Sequence, residues 1–135
     1  MQGLFGWLLN RRELLNNRKL LGRWGERRCE RLLKRKGLKP LARNFASKTG
    51  EIDIIMADTD GSIVFVEVKT RAGEDFTDTE DVVTSSKMNK MIRTARYFLA
   101  AHNIEDRPYR FDVVTIILPA KGQPQIRHYK NAFAP

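Results

Sequence analysis

Gly50-Glu-Ile-Asp-Ile-Ile-Met-Ala-Asp-Thr-Asp-Gly-Ser-Ile-Val-Phe-Val-Glu-Val-Lys-Thr-Arg71 is the stretch whose reading decides the fold. Two apolar runs, Glu51–Ala57 and Ile63–Thr70, flank the polar segment Asp58–Ser62, which contains Asp60-Gly61. An Asp-Gly pair between apolar runs is a strong local signal for a β-hairpin. Both runs carry ionisable groups that a buried strand should lack: Asp53 in the first, Glu67 and Lys69 in the second. Side chains alternate along a strand, so Glu67 and Lys69 share one face while Val66 and Val68 take the other. A carboxylate in such a strand costs several kcal/mol or more unless it is paired or holds a cation.

The turn decides whether Asp53 joins them. A two-residue Asp60-Gly61 turn sets Asp53 opposite Val68, and Glu67 then lies on the other face. A three-residue loop, Thr59-Asp60-Gly61 with Gly61 left-handed, shifts the pairing by one and sets Asp53 opposite Glu67. The second arrangement gathers the three charged groups instead of scattering them, and it is the register expected here.

Outward from the hairpin, the order of elements is helix, strands, helix, strands. A short amphipathic segment around Leu4–Leu15 breaks at Asn16-Asn17. A helix is expected from about Leu20 to Lys36, with Leu20, Leu21, Trp24, Leu32 and Leu33 inward and Gly37 ending it. Leu38–Ser47 reads as a weak strand, and residues 71–83 as a polar loop containing Glu74, Asp75, Asp78, Glu80 and Asp81. Met88, Met91, Ile92, Ala95, Phe98 and Leu99 repeat at helical spacing, which predicts a helix over about Ser86–His102 capped by Thr84, Ser85 or Ser86. Tyr109–Leu118 reads as a strand, Gln125–Tyr129 as an edge strand, and Asn131–Pro135 as a loose tail. The pattern predicts a mixed β-sheet flanked by helices in a single α/β domain at residues 20–130, preceded by a helical extension at 1–19.

At 135 residues the chain is long enough for one real core. No apolar run is long enough to span a bilayer, and Leu4–Leu9 lacks the preceding charges and cleavage site of a signal peptide. A cytoplasmic protein without stable membrane insertion is therefore expected. Cys29 is the only cysteine, which excludes a disulfide framework and a cysteine zinc site. His102 and His128 cannot build a histidine metal centre between them, so any metal should be a hard ion held by oxygen.

The net charge of +9 is unevenly placed: residues 1–48 carry 14 Lys/Arg against 3 Asp/Glu, and residues 49–135 carry 11 against 13. A basic N-terminal part points to a polyanion, with nucleic acid (DNA) the expected partner. The bland alternative is a helix face kept soluble by its charge. Two adjoining carboxylates repel unless a proton or cation intervenes. Mg²⁺ (or Mn²⁺) suits Asp53 and Glu67, because it takes oxygen ligands and retains waters for a phosphate substrate. Lys69 could then orient or deprotonate an attacking water. Together these groups predict metal-assisted phosphodiester hydrolysis, against the plainer reading of a Glu67–Lys69 pair that only stitches two strands.

Asp53 followed by Glu67-Val68-Lys69 on the next strand resembles the PD-(D/E)XK nuclease superfamily. More closely, Gly22-Arg-Trp-Gly-Glu26, Asn44, Gly50-Glu-Ile-Asp53, Val64–Arg71, Lys87 and Arg110-Phe-Asp112 resemble, in matching order over about residues 22–118, the YraN-like proteins. Those are predicted endonucleases similar to archaeal Holliday-junction resolvases. The resemblance implies a restriction-endonuclease-like core and cleavage of structured or branched DNA. Asp53 and Glu67 would be metal ligands, Lys69 the catalytic lysine, and Glu26 a further acidic residue near the metal. Arg71, Lys87, Arg23 and Arg27 would contact nucleic acid. Enzymes of this type often act as homodimers, although no residue here marks a dimer face. Two rivals remain: a non-catalytic nucleic-acid-binding protein of the same fold, and an interaction scaffold docked through the N-terminal helix.

Overall fold

The computed structural model describes residues 11–76 and 83–135. The first part of the N-terminal amphipathic segment and the centre of the acidic 71–83 loop lie outside the described residues.

The hairpin forms as the charge pattern requires. Strand β2 (Gly50–Ala57) pairs antiparallel with β3 (Ile63–Ala72) from Ala57↔Ile63 to Ile54↔Val66. The loop is the three-residue Thr59-Asp60-Gly61: Asp58 N–H donates to the Ser62 carbonyl at 2.9 Å, and Gly61 N–H to the Asp58 carbonyl at 3.0 Å. Gly61 has φ +91°, where a side chain would be strained. The same register carried one residue further sets Asp53 across from Glu67.

β1 (Lys39–Ser47) pairs antiparallel with β2, β4 (Tyr109–Leu118) runs parallel to β3, and β5 (Gln125–Phe133) closes the other edge antiparallel to β4. The strand order in this five-stranded mixed sheet is the chain order, β1-β2-β3-β4-β5. A parallel β3–β4 pair needs a crossover, which α2 (Ser85–Ala101) provides.

One helix covers each face. α1 (Arg18–Arg35) buries Leu21, Trp24, Cys29 and Leu33 against Ile54, Met56, Val64, Val66, Val114, Ile116 and Leu118. α2 buries Met91, Ala95 and Phe98 against Ile52, Ile55, Ile63, Phe65 and Phe111. The Asn17 side chain caps α1 by accepting from Lys19 N and Leu20 N. At its other end Gly37, at φ +96°, lets Leu38 N–H reach the Leu33 carbonyl and Gly37 N–H the Lys34 carbonyl. Thr84 caps α2 by accepting from Lys87 N. Residues 11–16 are also helical, and Leu14 and Leu15 pack against the α1-side core. Among the described residues no helix is long and apolar enough to cross a membrane.

Two features depart from the sequence-based expectation. Asn131–Pro135 is not all loose tail: β5 continues to Phe133, whose ring stacks on Phe111 at 4.8 Å. It continues through an irregularity opposite Asp112, where Asn131 is left-handed (φ 54°) and gives its N–H to Asp112 Oδ1 at 2.9 Å. The second is a close approach. Gly25 of α1 sits so tightly on β3 that an added Cβ would lie 1.8 Å from Thr70 Oγ1. That contact fixes how near α1, with Glu26 beside it, comes to the sheet.

Candidate active site

At Asp53 the hairpin opens. Ile52 lies in the α2-side core and Ile54 in the α1-side core, so the alternation of β2 slips at the residue between them. Across on β1, Asn44 takes a left-handed backbone (φ 49°). The β2–β3 pairing stops at Ile54↔Val66, and the Val68 N–H is taken by the Asp53 side chain instead, at 2.8 Å to Oδ2. This side-chain bond anchors Asp53 against β3 and sets its carboxyl beside that of Glu67.

The two carboxyls are within hydrogen-bonding reach of each other. Burial, and then the Asp53 charge, push the Glu67 carboxyl up to about 8, so it holds a proton at neutral pH. Burial raises Asp53 as well, although the Val68 N–H and the hydrogen bond from Glu67 favour its ionised form. Glu67 Oε1 is buried with no hydrogen-bond partner. Lys69, next on the same face, lowers the Glu67 pKa through its charge. Lys87 at the start of α2 places Nζ 3.7 Å from Glu67 Oε2, and its charge lowers the pKa of both carboxyls. Lys87, which the resemblance gives a nucleic-acid contact, lies beside the carboxyl pair.

Asp53 also opens into a groove of about 640 Å³ on the α1 side. Arg23, Glu26, Arg27, Glu30 and Arg31 of α1 line it with Arg43 and Asn44 of β1, over Trp24 and Ile54. Glu26 is half-buried, and its pKa is raised by burial and by Asp53. The Asn44 amide, oriented to donate, bridges Glu26 Oε1 at 3.1 Å and Glu51 Oε1 at 3.2 Å. Arg43 grips Glu30 through both oxygens, at 2.6 and 2.7 Å, and Lys34 adds a 3.1 Å ion pair. These contacts hold Glu30 below the usual carboxylate range, despite its burial.

The structure therefore brings together Asp53, Glu67 and Lys69, with Lys87 on one side and Glu26, Arg23 and Arg27 along the groove. Arg71 stands apart: it is exposed, and its guanidinium donates to the Thr70 carbonyl at 3.0 Å. Arg31, Arg43 and Glu51 join the site without having been singled out from the sequence. Arg31 continues the Arg23–Arg27 row by four residues, which was a usable signal. The partners of Arg43 and Glu51 come from distant segments and had none.

A divalent ion can be tested against this donor set. Among the described residues no three His, Cys, Asp or Glu side chains converge as a metal cluster. Two hard oxygens do: the orphaned Glu67 Oε1, and the Asp53 carboxyl with one oxygen held by the Val68 N–H. A pair of carboxylates with the remaining positions left to water or phosphate suits Mg²⁺. The residues fit the ion.

A second polar cluster lies on the α1 side. Asp112, fully buried, accepts from Arg110 Nε (3.0 Å), from Asn131 N (2.9 Å) and from His128 Nε2 (2.8 Å). Arg110 continues to Asp58 at 2.9 Å, and Lys36 Nζ meets His128 Nδ1 at 2.7 Å. Burial raises Asp112, but the bonds from His128, Asn131 and Arg110 more than offset it, and the pKa is lowered. This network ties α1, the hairpin turn, β4 and β5 together.

The fold and site define an α/β protein with a mixed five-stranded sheet and a half-buried carboxyl pair at an opened hairpin, facing an arginine-lined groove. The chain belongs to the uncharacterised protein family UPF0102, whose model matches residues 25–116. A UPF0102 protein of Sulfurihydrogenibium sp. is 44% identical over 113 residues, covering 84% of this chain and 93% of its own. One of Pelotomaculum thermopropionicum is 35% identical over 117 residues, covering 86% and 97%. One of Aliivibrio fischeri is 42% identical over 122 residues, covering 89% and 96%. A solved structure, described as an EndoMS–dsDNA2 complex, aligns with 55% of this chain and 26% of that one, at 25% identity and a TM-score of 0.29, a partial likeness only.

Proposed function

We propose that this protein is a Mg²⁺- or Mn²⁺-dependent endonuclease with a restriction-endonuclease-like core, hydrolysing phosphodiester bonds in structured or branched DNA. The observation that carries the reading is the Asp53–Glu67 pair: two half-buried carboxyls within hydrogen-bonding reach at a sheet opening, with one buried oxygen, Glu67 Oε1, lacking a hydrogen-bond partner. Such an arrangement is costly as it stands and becomes favourable when a cation replaces the shared proton.

Asp53 and Glu67 would hold the ion, which when bound supplies charge to stabilise the transition state. The Val68 N–H fixes the orientation of Asp53. Lys69, whose charge acts on Glu67, would orient a water and take or relay its proton. Lys87 and the groove arginines offset phosphate charge as the backbone approaches. Glu26, held by Asn44, keeps a further acid near Asp53.

The test is incubation of the purified chain with branched, duplex and single-stranded DNA, with Mg²⁺, with Mn²⁺ and with EDTA. Metal-dependent cleavage that is lost in Glu67→Ala and Lys69→Ala is expected. No cleavage of any substrate, or cleavage that persists in Glu67→Ala, overturns the proposal. Salt-sensitive binding without turnover would mark a non-catalytic nucleic-acid-binding protein instead.

A further inference from the structure

Both helices carry cations on their outer sides: Arg23, Arg27 and Arg31 on α1, and Lys90, Arg93 and Arg96 on α2. Their surroundings differ. The α1 arginines recur every four residues and so form one row along the helix. They line the groove that ends at Asp53. Among the described residues none of the three has a hydrogen bond or a close ion pair, and the charge of Arg23 acts on Glu26 only through space. The nearby acids are engaged elsewhere: Glu30 by Arg43 and Lys34, and Glu26 by the Asn44 amide. Like charges four apart on a helix repel. The crowding extends to Arg28, whose pKa is lowered first by burial and then by Arg31 and Arg35. A repelling row left unneutralised in a concave surface calls for an anion from outside the chain.

We infer that the Arg23–Arg27–Arg31 row is the track along which the sugar-phosphate backbone of one nucleic-acid strand runs toward Asp53, and that the basic side of α2 is not. The inference deepens the reading above and rests on it for the identity of the ligand. From Arg23 to Arg31 the row spans roughly 12 Å. Consecutive phosphates lie about 6–7 Å apart along a strand, so the row meets about two to three of them. Guanidinium forks suit phosphate oxygens. The side-chain amide in the groove, Asn44, is committed to Glu26 and Glu51, so the track reads backbone rather than bases.

The experiment compares the full chain with two triple variants that lose equal charge: Arg23→Gln/Arg27→Gln/Arg31→Gln on α1, and Lys90→Gln/Arg93→Gln/Arg96→Gln on α2. Binding of fluorescein-labelled duplex, single-stranded and branched oligonucleotides is followed by anisotropy over a salt series in EDTA, with circular dichroism as the folding control. The α1 variant should flatten the plot of log K against log salt by roughly 2 to 3, about 0.7–0.9 per lost phosphate contact. It should also weaken binding by about 100-fold or more at the lowest salt, while the α2 variant keeps the wild-type slope. Replacing the α1 row with three lysines should restore most of the slope, because charge alone sets it. An unchanged slope in the α1 variant, or equal losses in both triple variants, overturns the track. If wild type cleaves DNA but the α1 variant binds normally, the track alone fails. If binding depends on the row but no metal elicits cleavage, the nuclease reading fails and the track stands. If wild type binds none of the three oligonucleotides, both fail.

Discussion

Replacing Glu67 with glutamine should make the metal-free protein more stable, by an amount that grows with pH. In the fold the Glu67 carboxyl is pushed up to about 8 by burial and by the neighbouring Asp53 charge, whereas an unperturbed glutamate sits at 4.5. Below pH 4.5 both the folded and unfolded chains hold this proton, and the group costs nothing. Between 4.5 and 8 the unfolded chain releases the proton and the folded chain keeps it, so stability falls as pH rises, by about 1.4 kcal/mol per pH unit. Above 8 the loss levels off. At pH 7 the gap corresponds to about 3 kcal/mol, and at pH 9 to about 5 kcal/mol as an upper figure. Glutamine is close in shape and its amide N–H can still donate to Asp53, so the substitution removes the titration and keeps the hydrogen bond. Urea unfolding of wild type and Glu67→Gln in EDTA at pH 5, 7 and 9 measures the difference. The variant should match wild type within about 1 kcal/mol at pH 5 and exceed it by about 2–3 kcal/mol at pH 7, with a larger gap at pH 9. Parallel stability–pH curves for the two proteins would refute the reasoning, because Glu67 would then not be held neutral by its surroundings. The gain should come with loss of any metal-dependent cleavage, a trade expected where a strained site serves function.

Gly25→Ala should destabilise by about 1–3 kcal/mol despite the better helix propensity of alanine, because the new Cβ meets the buried Thr70 hydroxyl. Thr70→Ala should rescue the variant only in part, since the contact with Thr70 Cβ, at 2.8 Å, remains; a double-mutant cycle by urea unfolding reads the coupling. Asp112→Asn should cost about 3–5 kcal/mol at pH 7, because it leaves the half-buried Arg110 and His128 around a buried neutral amide. Asp112 is held below its ordinary value of 3.8, so its contribution is present above that pH and lost as the pH falls through the lowered value. The acid limb of the stability curve should therefore flatten in Asp112→Asn, as thermal melts between pH 2 and 5 would report.

The hairpin and its register were legible because they obey local rules. Asp60-Gly61 announces the turn, and the two-residue period then turns loop length into a statement about which side chains face each other. Helix bounds fell within about two residues of those expected, with Gly37 and Thr84 acting as the stop and start that their chemistry suggests. What escaped depends on segments far apart in the chain. Asn44 could be quoted as part of a resemblance, but its left-handed backbone and its bridge from Glu26 to Glu51 need β1 and α1 side by side. Phe133 looked like part of a loose tail because its stacking partner, Phe111, is reached only after the irregularity opposite Asp112 resets the register. Lys87 and Arg71 are both plain cations in the sequence; one approaches Glu67 because α2 starts there, and the other turns back on its own strand. Gly25 offered a faint clue, a glycine inside a helix, which usually costs stability unless something packs close.

Anomalous diffraction from a crystal soaked in Mn²⁺ tests the central claim most directly. A peak shared by Asp53 and Glu67 is expected, roughly 2 Å from an oxygen of each, with the buried Glu67 Oε1 no longer without a partner. The peak should disappear in Glu67→Gln. A soak that leaves the two carboxyls joined by a proton, or that places manganese away from both, would contradict the claim.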